Sequence, residues 1–329
     1  MYRHIYIWLH RPGAAALFER GVCIMAQQMK MSKLERAERR GFFIFISPWL
    51  FGFITLMLIP MVVSAYISLT NWNLLKPPVF VGLQNFQTIF KDHLFYKSLS
   101  VTFTYALFAV PLNIVVSVLL AMLLNNKLAG MNVFRTLFYL PAIVSGVVVA
   151  LVWMWMFQPE FGILNHLLSL IGIQGPKWIY DENWAMPSLI LMSLWNVGAN
   201  IVLYLAALQG VPTEQYEAAD IDGATWGRKM WNITLPGISP TLLFTTLTGI
   251  IGAMQTFTQS YIMTQGGPNE STTFYAYYIY NNAFVYRKMG EASAQGWIMF
   301  FIICLISLLV LKTSAGKVYY DGGEGGKLL

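Results

Sequence analysis

Apolar runs long enough to cross a bilayer, separated by polar stretches, dominate the pattern of this chain. A membrane helix needs roughly 17 to 25 apolar residues, and six segments qualify: Phe42 to Thr70, Leu99 to Leu124, Thr136 to Phe157, Ala185 to Gln209, Pro236 to Met263, and Gly296 to Leu311. None of them contains Asp, Glu, Lys, Arg or His, so every acidic or basic side chain falls in a loop or tail. The pattern predicts an all-α membrane protein with six transmembrane helices. Residues 1–41 are expected to form a cytoplasmic N-terminal tail, 42–311 the membrane domain and 312–329 a cytoplasmic C-terminal tail. Pro60, Pro111, Pro141, Pro187 and Pro240 lie in the runs, as do Gly249 and Gly252, and predict kinks and close helix packing.

Composition points the same way. With 57% hydrophobic and 11% charged residues, the chain has too little polar surface for a soluble globule, whose charged fraction is about a quarter. The net charge of +6 does not call for nucleic acid, because the basic residues sit beside apolar runs, where membrane topology accounts for them. Fifteen of the 21 Lys and Arg fall in the two tails and the alternate loops, and six fall on the other side. Both termini and the loop before Pro236 are therefore expected to be cytoplasmic. The tail has an apolar stretch, Ile5 to Leu9, too short for a signal-peptide core. Met25, Met29 and Met31 are each a possible start, and the tail is expected to be dispensable for transport.

The most informative loop spans 213–236. Pro212-Thr213-Glu214 opens a helix, Gly223 breaks it, and Trp226 to Ile233 restarts a helix that enters the membrane at Pro236. The result is a compact helix–glycine–helix knob with small Ala218 and Ala219 beside acidic Glu217, Asp220 and Asp222, shaped to enter a groove on another protein. Glu217-Ala218-Ala219, Gly223 six positions after that Glu, and Ile233-x-Leu235-Pro236 resemble the EAA loop of permeases in binding-protein-dependent ABC importers. Ser47-Pro48-Trp49, Phe80 to Phe86, Gly162 to Asn165 and Thr264 to Pro268 are similar to the carbohydrate-uptake branch, near the maltose and glycerol-phosphate permeases.

The resemblance implies a type I ABC importer permease in the bacterial inner membrane. It implies a second, homologous permease, two ATP-binding subunits and an extracytoplasmic solute-binding protein as partners. ATP and Mg2+ are expected on the ATPases and no cofactor or metal on this chain. Glu217, Ala218, Ala219, Asp220 and Gly223 become the ATPase-coupling residues. The substrate path would run along Ser193, Trp195, Asn196 and Asn200 in the fourth span, and Gly249, Gly252, Ala253 and Thr256 in the fifth, whose spacing is one helix face. Gln255 and Gln259 are alternative polar contacts. Small residues in this set leave room for a bulky oligosaccharide or for close helix packing. Asn71 to Ser98 and Gln158 to Trp184 are expected to meet the binding protein and sister permease, with Trp72, Trp178 and Trp184 as interfacial anchors.

The chain contains no Gly-x-x-x-x-Gly-Lys-Ser/Thr phosphate loop, and the glycine-rich tail Gly322 to Lys327 has the wrong spacing for one. Cys23 and Cys304 lack metal-ligand spacing, and His4, His10, His93 and His166 are scattered in tails and loops, so an enzyme active site is not expected. The competing class is an ion-coupled secondary transporter, which usually keeps ionisable groups in its spans. A permease of the same family for a non-sugar solute is the other alternative.

Overall fold

The computed structural model describes residues 33–126, 130–314 and 316. Cys23, the alternative starts and the tail motif Gly322 to Lys327 lie outside the described residues. The chain divides into two compact units, Met1–Ser64 and Ala65–Leu329.

An apolar helix makes up the described part of the first unit, and its last residues, Ala65–Ser68, belong to the second. Lys33–Phe53 passes without interruption into a π-turn, Ile54–Leu58, and then into Ile59–Ser68. Its side chains are exposed along nearly the whole apolar length, as befits a helix whose solvent is lipid or another protein. The helix begins inside the expected tail because its first turns are charged (Glu35, Arg36, Glu38, Arg39), and hydropathy discounts such turns although they form good helix.

The second unit holds two more straight spans, His93–Leu124 and Met289–Ser314. Asp92 caps the first of these, accepting from the Leu94 amide at 2.9 Å. Pro111 lies inside it without breaking it. Both start earlier than the apolar pattern predicts, the extra turns carrying His93, Lys97 and Glu291.

The remaining three spans are not single rods. The third runs Met131–Ile143 and Gly146–Met156 with a 100° bend, the fourth Glu182–Asn196 and Gly198–Gln209 with 52°, and the fifth Trp226–Gly237 and Ser239–Met254 with 69°. In the third, Pro141 shapes a 3-10 turn, Leu140–Ile143, before an extended Val144. The fourth breaks where Gly198 meets the third, since a Cβ on Gly198 would collide with the Phe138 carbonyl. The expected fifth span, Pro236 to Met263, is also shorter as regular helix: it stops at Met254, and Ser260–Thr264 forms a separate π-turn.

Three buried clusters hold this unit together. One gathers Tyr105, Trp153, Phe157, Trp178, Leu189 and Phe274. A second joins Val118, Ala121, Ile201, Tyr204 and Ile238 near the 213–236 loop. The third packs Phe95, Met254, Tyr275 and Ala294 at the opposite end. At that end Thr70–Asn71 pairs antiparallel with Val79–Phe80, and the Asn85 amide donates to the Ser68 and Thr70 carbonyls at 2.7 and 2.9 Å. Trp178, expected as an interfacial anchor, is buried instead, its Nε1 donating to Asn165 Oδ1 at 2.6 Å and its ring against Phe157. The Phe157 and Asn165 partners come from distant sequence, so a local reading could not assign it.

Candidate functional site

Two features of the second unit stand out: the hairpin at 213–236 and a cavity between the second, fourth and fifth spans.

The hairpin has the expected form. Thr213–Ile221 is a helix, Asp222 closes it by donating to the Ala218 carbonyl, and the Ala224 amide returns to the Ala219 carbonyl at 2.8 Å. Gly223 sits at φ +69° with open space where a Cβ would be. Its requirement is therefore conformational rather than steric: the chain reverses through a left-handed residue, which only glycine adopts freely. Trp226–Lys229 follows and a π-turn, Met230–Thr234, leads into the fifth span. Two bridges close the hairpin. Tyr216 and Thr234 join hydroxyl to hydroxyl at 3.0 Å, with Thr234 buried, and Lys229 pairs with Asp220 at 2.7 Å. Asp220 is thus engaged within the hairpin, whereas Glu217 has no hydrogen bond or ion pair among the described residues. Glu217, Ala218 and Gly223 are exposed and Ala219 half-buried.

Sequence reasoning passed over the apolar side of this knob. Ile221 is 88% exposed, Trp226 64% and Trp231 72%. Large apolar groups this bare on a polar hairpin mark an interaction surface. The signal was present as apolar residues flanking the glycine, but exposure is decided by how the two short helices fold back.

The cavity encloses about 300 Å³. Seven of the residues expected along the substrate path line it: Ser193, Asn196 and Asn200 from the fourth span, and Gly252, Ala253, Thr256 and Gln259 from the fifth, together with Gly249. Trp195 and Gln255 fall outside the lining. Trp195 turns its edge to Trp153 at 5.8 Å, because the 3-10 turn Leu194–Asn196 rotates it away from its neighbour Asn196. Gln255 ends the regular helix and is exposed. Thr256 lies beyond that helix end, so the expected i, i+3, i+4, i+7 face stops at Ala253; the unwound backbone still brings Thr256 to the cavity.

The second span completes the wall with Tyr105, Ala109, Val110, Asn113 and Ile114, and Thr245 joins from the fifth. None of these six was visible as a site residue in sequence, since the second span reads as uniformly apolar with scattered polar positions. Asn113 donates to Ser193 Oγ and to the Ala109 carbonyl, each at 2.9 Å, and so locks the second span to the fourth. Tyr204 and Thr245 share a short buried hydroxyl–hydroxyl bond that locks the fourth to the fifth. Asn196, Asn200 and Gln259 make no hydrogen bond among the described residues, so three carboxamides are left to face the cavity. No Asp, Glu, Lys, Arg or His contributes to the lining. Such a wall offers donors and acceptors without net charge, which matches a neutral polyhydroxylated solute and gives no counter-ion to a charged one. Among the described residues no cluster of His, Cys, Asp or Glu has the makings of a metal site.

Broken apolar spans around an uncharged polar cavity, with an exposed helical knob between the fourth and fifth, define a solute-conducting membrane subunit. Residues 113–320 match the family of binding-protein-dependent transport system inner membrane components, and the chain belongs to that family. It is 39% identical over 304 residues to YesP of Bacillus subtilis (strain 168), described as a probable ABC transporter permease protein, with 91% of this chain and 98% of that one covered. It is 32% identical to the arabinooligosaccharides transport system permease protein AraP of the same organism, covering 88% and 93%. Among solved structures it resembles a chain of a bacterial alginate ABC transporter in complex with an alginate pentasaccharide-bound periplasmic protein, with a TM-score of 0.73, 22% identity, and 86% and 97% coverage. That likeness supports the type I permease fold. The chain is therefore a membrane-embedded transport permease.

Proposed function

We propose that this chain is one of two permease subunits of an ATP-driven importer that takes up a sugar, specifically an oligosaccharide, delivered by an extracytoplasmic solute-binding protein. The observation that carries the reading is the uncharged cavity, in which Asn196, Asn200 and Gln259 present unpaired carboxamides beside Tyr105 and the hydroxyls of Ser193, Thr245 and Thr256. The transport systems of relatives named for arabinooligosaccharides, multiple sugars and lactose support the solute class. The small residues Gly249, Gly252 and Ala253 leave the room a sugar ring needs.

In this reading ATP and Mg2+ bind to two partner ATPase chains, and this chain supplies no catalytic group. The second permease is a homologous, different chain completing the path. Both termini face the cytoplasm, and the 213–236 hairpin docks in a groove of the ATPase. Glu217, unpaired and exposed, meets a cation there, while Ile221, Trp226 and Trp231 fill the apolar part of the groove. Asp220 stiffens the knob through Lys229. The Tyr216–Thr234 bond passes motion of the knob to the fifth span, and the Tyr204–Thr245 bond passes it to the fourth. Closure of the ATPases around ATP then drives a rigid-body change between inward- and outward-facing states, biased by ligands at separate sites.

The test is reconstitution in proteoliposomes with the binding protein and sister permease, with and without the ATPases. Uptake of an oligosaccharide that requires both ATP and the ATPase chains is expected. Uptake by the permease pair alone, under a sodium or proton gradient, would replace this reading with a secondary transporter.

A further inference from the structure

Of the four carboxamides in the cavity wall, only that of Asn113 is held in one orientation by the protein. Tyr105, Ala109 and Asn113 follow one another at intervals of four along the second span, and all three line the cavity. Asn113 Nδ2 donates to the Ala109 carbonyl and to Ser193 Oγ, each at 2.9 Å. A backbone carbonyl only accepts, so the nitrogen end of the carboxamide must sit there and the oxygen end must point away from it. Both amide hydrogens are then spent. Asn113 Oδ1 accepts from no group among the described residues, and it is not sealed off, whereas the Ser117 hydroxyl one turn further along is buried without a partner. Asn113 thus offers the cavity an acceptor and no donor.

The neighbouring hydroxyls obey the same accounting, since each has a single proton to give. Ser193 gives its proton to the Ile190 carbonyl at 2.6 Å, Thr245 to the Thr241 carbonyl at 2.9 Å, and Thr256 to the Gly252 carbonyl at 3.4 Å. Each keeps only lone pairs for a solute, and Ser193 already lends one of them to Asn113. Asn196, Asn200 and Gln259 are held by no such bonds and can present either end of the amide. The cavity therefore has a fixed accepting edge at Asn113 and Ser193 and adaptable carboxamides elsewhere.

We propose that Asn113 is a specificity-determining residue of the sugar path: its Oδ1 is a fixed acceptor that reads one free hydroxyl of the solute as a donor. Such an edge selects a solute whose hydroxyl is unsubstituted at the position it meets. A deoxy position leaves the Asn113 oxygen unpaired in an apolar bundle, and a fluorine in place of the hydroxyl sets a second acceptor against it. A carboxylate there is refused for the same reason, because an ionised carboxylate only accepts. The inference rests on the sugar reading above.

The experiment uses the full complex of this chain, sister permease, ATPases and binding protein in proteoliposomes, with the binding protein supplied fully loaded with each solute so that its own selectivity drops out. The solutes are the arabino- or malto-oligosaccharide that the wild type takes up and its monodeoxy and monofluoro derivatives. At one hydroxyl position, wild-type uptake should fall about three- to tenfold on deoxygenation, the worth of one hydrogen bond, and fluorine should restore none of it. Asn113→Leu, of similar size, and Asn113→Ser, whose hydroxyl can still donate to the Ala109 carbonyl, should each bring parent and derivative within about twofold at that position. Discrimination at the other positions should stay as in the wild type. A general loosening of the bundle would slow parent and derivative alike and leave their ratio unmoved. Wild-type ratios at every position in both variants overturn the acceptor role. The fluorine comparison needs no variant, since a wild type in which fluorine restores uptake at every sensitive position overturns it as well. A wild-type complex that takes up neither kind of oligosaccharide sinks the solute class and this inference with it, whereas uptake of the parent with no position coupled to residue 113 sinks the inference alone.

Discussion

The hairpin and the cavity solve opposite problems. In the hairpin, all the parts lie within about two dozen consecutive positions, the backbone turn is fixed by one glycine, and the large apolar groups point outward. In the cavity, the wall comes from three spans scattered over more than 150 positions between Tyr105 and Gln259, and it is the polar groups that are left without partners. The comparison teaches that unsatisfied chemistry marks function in both, with the sign set by the surroundings. Bare apolar surface is costly in water and invites a protein groove. Bare carboxamides are costly in an apolar bundle and invite a polar solute.

The largest expected effect tests the hairpin. Gly223→Pro cannot adopt φ +69°, because the pyrrolidine ring holds φ near −65°. Sugar uptake should be abolished while the protein still reaches the membrane, as read by membrane fractionation; normal uptake would remove the docking role. Glu217→Lys should do the same by placing like charges in the groove, and loss of ATPase co-purification is the measurement. A second tier addresses the locks between spans. Tyr204→Phe removes the bond between the two hydroxyls while Thr245 keeps its own to the Thr241 and Leu242 carbonyls, and should cost about 0.5–1.5 kcal/mol, seen as a lower unfolding temperature in detergent.

Smaller effects separate the two regions. Asn196→Ala removes one carboxamide from the cavity and should raise the apparent KM for the sugar by about two- to tenfold, the worth of one hydrogen bond, with ATPase association intact. An unchanged KM and rate would clear Asn196 of solute contact. Asp220→Ala breaks an ion pair whose carboxylate is largely exposed, and such pairs contribute at most about 1 kcal/mol. Uptake should fall less than about fivefold. A total loss in this variant would mean that Asp220 touches the ATPase itself.

The hairpin was legible in the sequence because helix start, glycine stop and helix restart are short-range signals. The cavity was half legible. The fourth- and fifth-span residues could be counted outward from the hairpin, but Tyr105 and Asn113 give no local hint of facing Ser193. Trp195 was counted in by the same rule and Gln255 named as an alternative polar contact, and departures from regular helix at Leu194–Asn196 and after Met254 leave both out of the lining.

By itself the sequence determined what each segment needs as solvent. Six apolar runs require lipid or protein around them, and a polar, glycine-broken loop requires water and a partner, since hydrophobic burial and backbone satisfaction act residue by residue. The tertiary structure alone decided where the runs bend and which polar groups go unpaired. Those outcomes depend on contacts such as Gly198 against the Phe138 carbonyl and Asn113 with Ser193, between residues too far apart in the chain for any local pattern to report.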